Sequence, residues 1–224
     1  MSRRLAAEFL GTALLLAAVV GSGIMGQRLS AGNAALTLLA NSIATGTMLV
    51  ALILAFGPIS GAHFNPLVTA ATGTPWREAS LYVVAQCAGA ILGVVAANLM
   101  FGLPACSAAQ RVRTGPAQWV SEGVAAFGLV GVILSVSRSR PDAMPLAVGA
   151  YITAAYWFTA STSFANPAVT LARAFSDTFT GIRLADVPGF VASQIAGAAV
   201  AVVLFKWLLG PKPSSRLQGV DAPP

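Results

Sequence analysis

Apolar residues gather into six long runs, at about residues 5–25, 34–56, 79–102, 118–137, 144–160 and 188–209, separated by short polar breaks. A helix needs about 20 such residues to cross roughly 30 Å of hydrocarbon, so the pattern predicts an all-α membrane protein with six transmembrane helices. The first run is too long for a signal-peptide core and is followed by no clear small-residue cleavage site, so it is expected to stay as a helix. One transmembrane domain spans residues 1–210, with no room for a separate soluble domain. Residues 211–224, rich in Pro, Ser and Gly, are expected to form a disordered cytoplasmic tail.

Composition agrees with a lipid environment: 56% of residues are hydrophobic and 9% charged, against roughly 25% charged in an ordinary soluble domain. The net charge of +6 is not gathered into a stripe, which argues against nucleic acid as a partner. It reads instead as topology. With six spans both termini share a side, and Arg3, Arg4, Arg77, Arg138, Arg140, Lys206, Lys212 and Arg216 lie there, against Arg28, Arg111, Arg113, Arg173 and Arg183 opposite. Eight against five predicts cytoplasmic termini in a multi-pass protein of the cell (inner) membrane. The two cysteines, Cys87 and Cys106, and the single histidine, His63, form neither a disulfide framework nor a metal-ligand set, and no cofactor is expected.

The chain also repeats itself. Glu8 in the first run answers Glu122 in the fourth, Gln86-Cys87-Ala88-Gly89 answers Gln194-Ile195-Ala196-Gly197, and Asn65-Pro66-Leu67-Val68-Thr69 answers Asn166-Pro167-Ala168-Val169-Thr170. Markers in the same order define two halves, at about residues 5–102 and 117–209. Each half has three spans, an odd number, so the halves enter the membrane in opposite directions. This inverted repeat places a functional site at its midplane interface. Gly and Ala near Gln86 and Gln194 permit close helix packing.

Residues 59–71 and 161–173 are too apolar for surface loops and too short to cross a bilayer, so both are expected to be re-entrant. Asn is a good N-cap and Pro is favoured at the first helical position, so Asn65-Pro66 and Asn166-Pro167 each begin a half-helix. About 10 residues would make a rod of about 15 Å, which lets the two N-termini meet near the bilayer centre. Irregular backbone at that depth must be buried or line a wet cavity. Facing N-termini, each carrying about +0.5 charge, oppose cations and protons, while the Asn65 and Asn166 amides can donate to a neutral permeant oxygen.

The paired Asn-Pro loops, Ser60-Gly61-Ala62-His63, Glu8 and Glu122 resemble those of the aquaporin and aquaglyceroporin (major intrinsic protein) family, over nearly the whole chain. The resemblance implies an aquaporin-like fold with two re-entrant half-helices, a homotetramer with one pore per subunit in the lipid bilayer, and passive conduction of water and small neutral solutes. It assigns the central barrier to Asn65, Pro66, Leu67, Asn166, Pro167 and Ala168. Two residues depart from the family pattern: Leu67 stands where Ala is usual, and Val169 stands where the outer constriction usually has an Arg. Carrying over the rest of that constriction gives Thr45 and Ser163. The position on the fifth span is either Ala154, counting back from Asn166, or Tyr156, counting forward from Pro145-Leu146-Ala147-Val148-Gly149.

A filter without its Arg is expected to be wider than a strict water filter, and to admit glycerol-like polyols or metalloid acids such as arsenous acid. Arg173, one turn beyond Val169 at the outer mouth, either replaces the missing Arg or is only structural. Glu8 and Glu122 are expected to support the loop backbones rather than relay protons, and His63 to pack and hydrogen-bond rather than gate. A secondary transporter with an inverted repeat for a small polar solute is the alternative. It lacks coupling groups at midplane apart from the two glutamates. An enzyme is not expected, because no nucleophile–base pair is in evidence.

Overall fold

A computed structural model describes residues 1–210; the expected tail at 211–224 lies outside the described residues. Six long helices form the body: α1 (Ser2–Leu29), α2 (Ala34–Ser60), α4 (Trp76–Met100), α5 (Pro116–Ser139), α6 (Met144–Phe158) and α8 (Val187–Leu209). Two short helices, α3 (Pro66–Ala71) and α7 (Pro167–Ala172), lie between them in sequence. Most long helices overshoot the apolar runs by a few residues at their ends, because backbone hydrogen bonding continues where the side chains turn polar. α6 is the exception. It has 15 residues and stops at Phe158, about 22 Å of rise, while five segments among the described residues are individually long and apolar enough to span a membrane.

Large apolar side chains, among them Leu54, Val84, Leu99, Val203 and Trp207, cover the outside of the bundle. Exposed apolar surface on this scale is suited to hydrocarbon rather than water. Inside, α1 packs on α4 and α5 packs on α8, two equivalent pairs, and α2 meets α6 across the halves. The close approach depends on glycine. A Cβ at Gly89 would overlap the Phe9 carbonyl oxygen, and a Cβ at the equivalent Gly197 would overlap that of Gly123.

The half-helices begin where the sequence predicts but are shorter. Each has 6 residues, about 9 Å, rather than about 10 residues. α3 stops where the Gly73 N–H turns back to Ala70 O and Gly73 takes a left-handed φ of +76°. Beyond α7 the chain tightens into a 3-10 turn at Arg173–Phe175. Both half-helices pack against α4 and α8, and they touch each other.

Candidate pore

The two half-helices are held by matching bonds, the first by one more than the second. Glu8, fully buried on α1, accepts from His63 N (3.0 Å), Phe64 N (2.7 Å), Ser60 Oγ (2.6 Å) and Gln86 Nε2 (2.8 Å). Glu122 on α5 accepts from Phe164 N (2.9 Å), Ala165 N (2.9 Å) and Gln194 Nε2 (2.5 Å). Both glutamine amides also donate to a half-helix hydroxyl, Gln86 to Thr69 (3.0 Å) and Gln194 to Thr170 (2.8 Å). Each carboxylate thus serves backbone N–H groups of the loop before its Asn, as charge-assisted hydrogen bonds do well in a buried setting.

Those bonds also aim the backbone. In a trans peptide the C=O points opposite to its N–H, so turning the N–H groups of residues 63 and 64 toward Glu8 turns the Ala62 and His63 carbonyls away from it. Ser163 and Phe164 carbonyls are turned likewise by Glu122. Left-handed backbone at Ala62 (φ 51°), Phe64 (φ 49°), Ser163 (φ 50°) and Ala165 (φ 48°) makes this possible. Such conformations are strained for residues with a Cβ and persist where the surroundings over-determine them.

The two loops meet at their asparagines. Asn65 Oδ1 accepts from Leu67 N (2.9 Å), and Asn166 Oδ1 accepts from Ala168 N (3.0 Å) and Val169 N (3.3 Å), so each side chain caps its helix. The amide nitrogens cross over: Asn65 Nδ2 donates to Ala165 O and Asn166 Nδ2 to Phe64 O, both at 2.8 Å. Each Nδ2 has two hydrogens, which leaves one for the cavity that both residues line.

That cavity, about 190 Å³, runs past both asparagines. Its walls come from helix rows spaced by four residues: Thr45, Leu49 and Ile53 on α2, and Met144, Val148, Ile152 and Tyr156 on α6. The i, i+4 spacing keeps one helix face toward the centre. The rows put Tyr156 beside Thr45 at one end, where their hydroxyls are 3.1 Å apart. Between that pair and Met144 the two rows are aliphatic.

Of the two alternatives on the fifth span, Tyr156 is on the cavity wall and buried, whereas Ala154 is exposed on α6 and does not line the cavity. Ser163 and Val169 both line the cavity. Leu67 points elsewhere, into a cluster with Ala126, Val130, Ala198 and Ala201, and Ala168 is fully buried in the main core. His63 lines the cavity with its Nδ1 3.2 Å from Thr69 Oγ1 and its ring against Tyr82. Among the described residues no group of three or more His, Cys, Asp or Glu could hold a metal ion.

Arg173 is 1% exposed and lies on the cavity wall. Its Nε donates to Thr180 O (2.5 Å) and its Cζ sits 3.4 Å from the centre of the Phe164 ring. Arg113, from the segment between α4 and α5, reaches the same ring at 4.9 Å. Its guanidinium donates to Gly181 O, Ser161 O and Phe179 O. Phe164 and Arg113 were not singled out by sequence reasoning. The only signal for Phe164 is its position, equivalent to His63 by distance from the Asn. Arg113 has none, because its contacts depend on how two connecting segments fold together.

Comparison with known proteins places these features in context. The family model described as Major intrinsic protein matches residues 1–165. The chain is similar to Aquaglyceroporin AqpS of Rhizobium meliloti (strain 1021), 59% identical over 215 residues, covering 94% of this chain and 92% of that protein. It is also similar to Aquaporin NIP1-1 of Zea mays, 34% identical with 88% of this chain and 72% of that protein covered. Among solved structures, the aquaglyceroporin from Plasmodium falciparum superposes with a TM-score of 0.69 at 20% identity, covering 92% of this chain and 94% of that one. At that identity the likeness is one of fold.

Proposed function

The chain belongs to the major intrinsic protein family, and from that premise we propose that it is a wide-filter channel whose selectivity is set at the outer end of its second half. It is a multi-pass membrane protein of a family of passive channels for water and small neutral solutes, not of enzymes. The finer assignments rest on the residues that face the cavity. Val169 carries the reading: it is on the wall where a family filter has Arg, so that position offers methyl groups in place of fixed donors.

Hydroxyls remain around it. Tyr156 and Thr45 pair across the cavity, and Ser163 Oγ is buried on the wall without a partner among the described residues. Such a ring suits a solute carrying several OH groups, a polyol such as glycerol or a metalloid acid such as arsenous acid. Arg173, one turn farther from the asparagines than Val169, supplies the donors and positive charge that Val169 lacks. At the centre, the free Asn65 and Asn166 amide hydrogens donate to a solute oxygen. The positive ends of α3 and α7 oppose cations there, because that charge resides on first-turn N–H groups, which even a short helix has. The aquaglyceroporin name of the Rhizobium relative supports the solute class.

A homotetramer with cytoplasmic termini completes the proposal. The charge count supports the orientation, and the apolar outer faces supply the area for subunit contacts. Solute-driven swelling of vesicles containing the protein tests the function. Entry of glycerol, urea and arsenous acid is expected, with flux linear in concentration. Water flux with none of these solutes overturns the wide filter, and saturable, ion-dependent uptake overturns the channel.

A further inference from the structure

Arg173 is the largest fully buried side chain of the described residues, and its charge is unbalanced. Nε is spent on Thr180 O, while neither Nη has a hydrogen-bond partner among the described residues. The salt bridges among those residues are Arg4–Glu78 and Arg183–Asp186, so no carboxylate pairs with Arg173. Nearby acids are committed elsewhere: both Glu122 oxygens to Phe164 N, Ala165 N and Gln194, and Asp186 to Arg183 and Arg113 N. Arg111 and Arg113 add positive charge at the same end and donate to backbone carbonyls. Ser163 Oγ, on a side chain 2% exposed, is a second polar group on the same wall with no partner.

A buried guanidinium with free Nη groups is expensive unless something answers it. Its planar fork matches two oxygens of one small anion, with charge-assisted bonds. We propose that Arg173 Nη and Ser163 Oγ form an anion site at the outer end of the pore, which takes a small monovalent oxyanion of the nitrate type and is blocked by it. The anion is held rather than passed: beyond Arg173 the lining is aliphatic at Val169, Ile152 and Leu49, the Asn65 and Asn166 amides offer only neutral donors, and no second Arg or Lys of the described residues faces the cavity. A charge stripped of water is not tolerated along such a surface. Phe164, stacked on Arg173, holds the fork in place, and Arg113 backs the same ring. The site is therefore an inhibitory one for the channel, and this inference rests on the channel reading above.

Nitrate is the suitable probe, since it has no neutral form near pH 7 and so cannot enter as an acid. Glycerol-driven swelling of vesicles carrying the full-length protein is measured in sodium nitrate and in osmotically matched sodium gluconate, whose hydroxylated six-carbon chain is bulkier than nitrate. Wild-type flux is expected to fall as nitrate rises, to about half when nitrate equals its Kd, and to be unaffected by gluconate. Arg173→Gln is expected to abolish the nitrate effect, and Arg173→Lys and Ser163→Ala to move it to higher concentration. Equal wild-type flux in the two salts overturns the site, as does undiminished nitrate inhibition in Arg173→Gln. Should Arg173→Gln fail to insert, unshifted inhibition in both Arg173→Lys and Ser163→Ala overturns it. Absence of glycerol flux in every salt overturns the channel reading itself, a different outcome from flux that ignores nitrate.

Discussion

The two halves share a scaffold and differ in what they hang on it. Glu8 and Glu122, Gln86 and Gln194, Thr69 and Thr170, and Gly89 and Gly197 occupy equivalent places and make equivalent contacts. The position two residues before Asn65 carries His63, packed against Tyr82, with an Arg4–Glu78 ion pair nearby at the same end. The same position before Asn166 carries Phe164, packed against Phe190 and stacked by Arg173 and Arg113, neither of whose guanidinium groups has a carboxylate partner among the described residues. Repeated residues therefore build the loops, and the unrepeated ones set the Arg173 end of the cavity apart, the end to which the proposed function assigns the choice of solute.

If the scaffold is shared, damage to it should be symmetric. Gly89→Val and Gly197→Val each force a side chain onto a backbone carbonyl with nowhere to move, and each is expected to cost about 3 kcal/mol or more. Size-exclusion profiles after detergent extraction should show little monodisperse protein for either. A normal profile for one alone breaks the equivalence. Glu8→Gln and Glu122→Gln come next, because an amide NH₂ then faces backbone N–H donors, at about 1–3 kcal/mol each. Thermal unfolding in detergent should drop more for Glu8→Gln, since Glu8 accepts four bonds and Glu122 three.

If the decoration is what differs, damage to it should be one-sided. Phe164→Leu removes the platform under Arg173, a contact worth about 0.5–2 kcal/mol, and should change the glycerol-to-urea permeability ratio by about two- to tenfold. His63→Leu, at the equivalent place, should leave that ratio near the wild-type value; equal shifts in both would erase the distinction. Tyr156→Phe is the mildest test. It removes one hydroxyl pair with Thr45 and about 1 kcal/mol, with glycerol flux expected to stay within about twofold.

The shared scaffold was the legible part of the molecule, and for a physical reason. Glu, Gln and Asn-Pro inside apolar runs are costly unless each has a fixed task, so finding them twice in the same order marks both the fold and the loops. The length of the half-helices was not legible, because their ends are set by Gly73 turning the chain and by a 3-10 turn after Ala172, not by a change in hydropathy. The choice between Ala154 and Tyr156 hung on a two-residue shortening before Asn166, and only the packing of α6 against α2 puts Tyr156 inward and Ala154 outward. Arg113 meets the Phe164 ring only through contacts between segments about 50 residues apart, and Phe164 meets Arg173 only because the loop before Asn166 folds back over the end of α7, which no local pattern encodes.

The central claim is that the second half's outer end is permissive because Val169 stands in the filter. Measuring the ratio of glycerol to water permeability in vesicles, for wild type and Val169→Arg, tests it most directly. The account predicts substantial glycerol flux in the wild type and a ratio lower by about tenfold, or about 1.4 kcal/mol in barrier, once the Arg is restored. A wild-type channel that passes water but no glycerol, or a ratio unmoved by Val169→Arg, would contradict it.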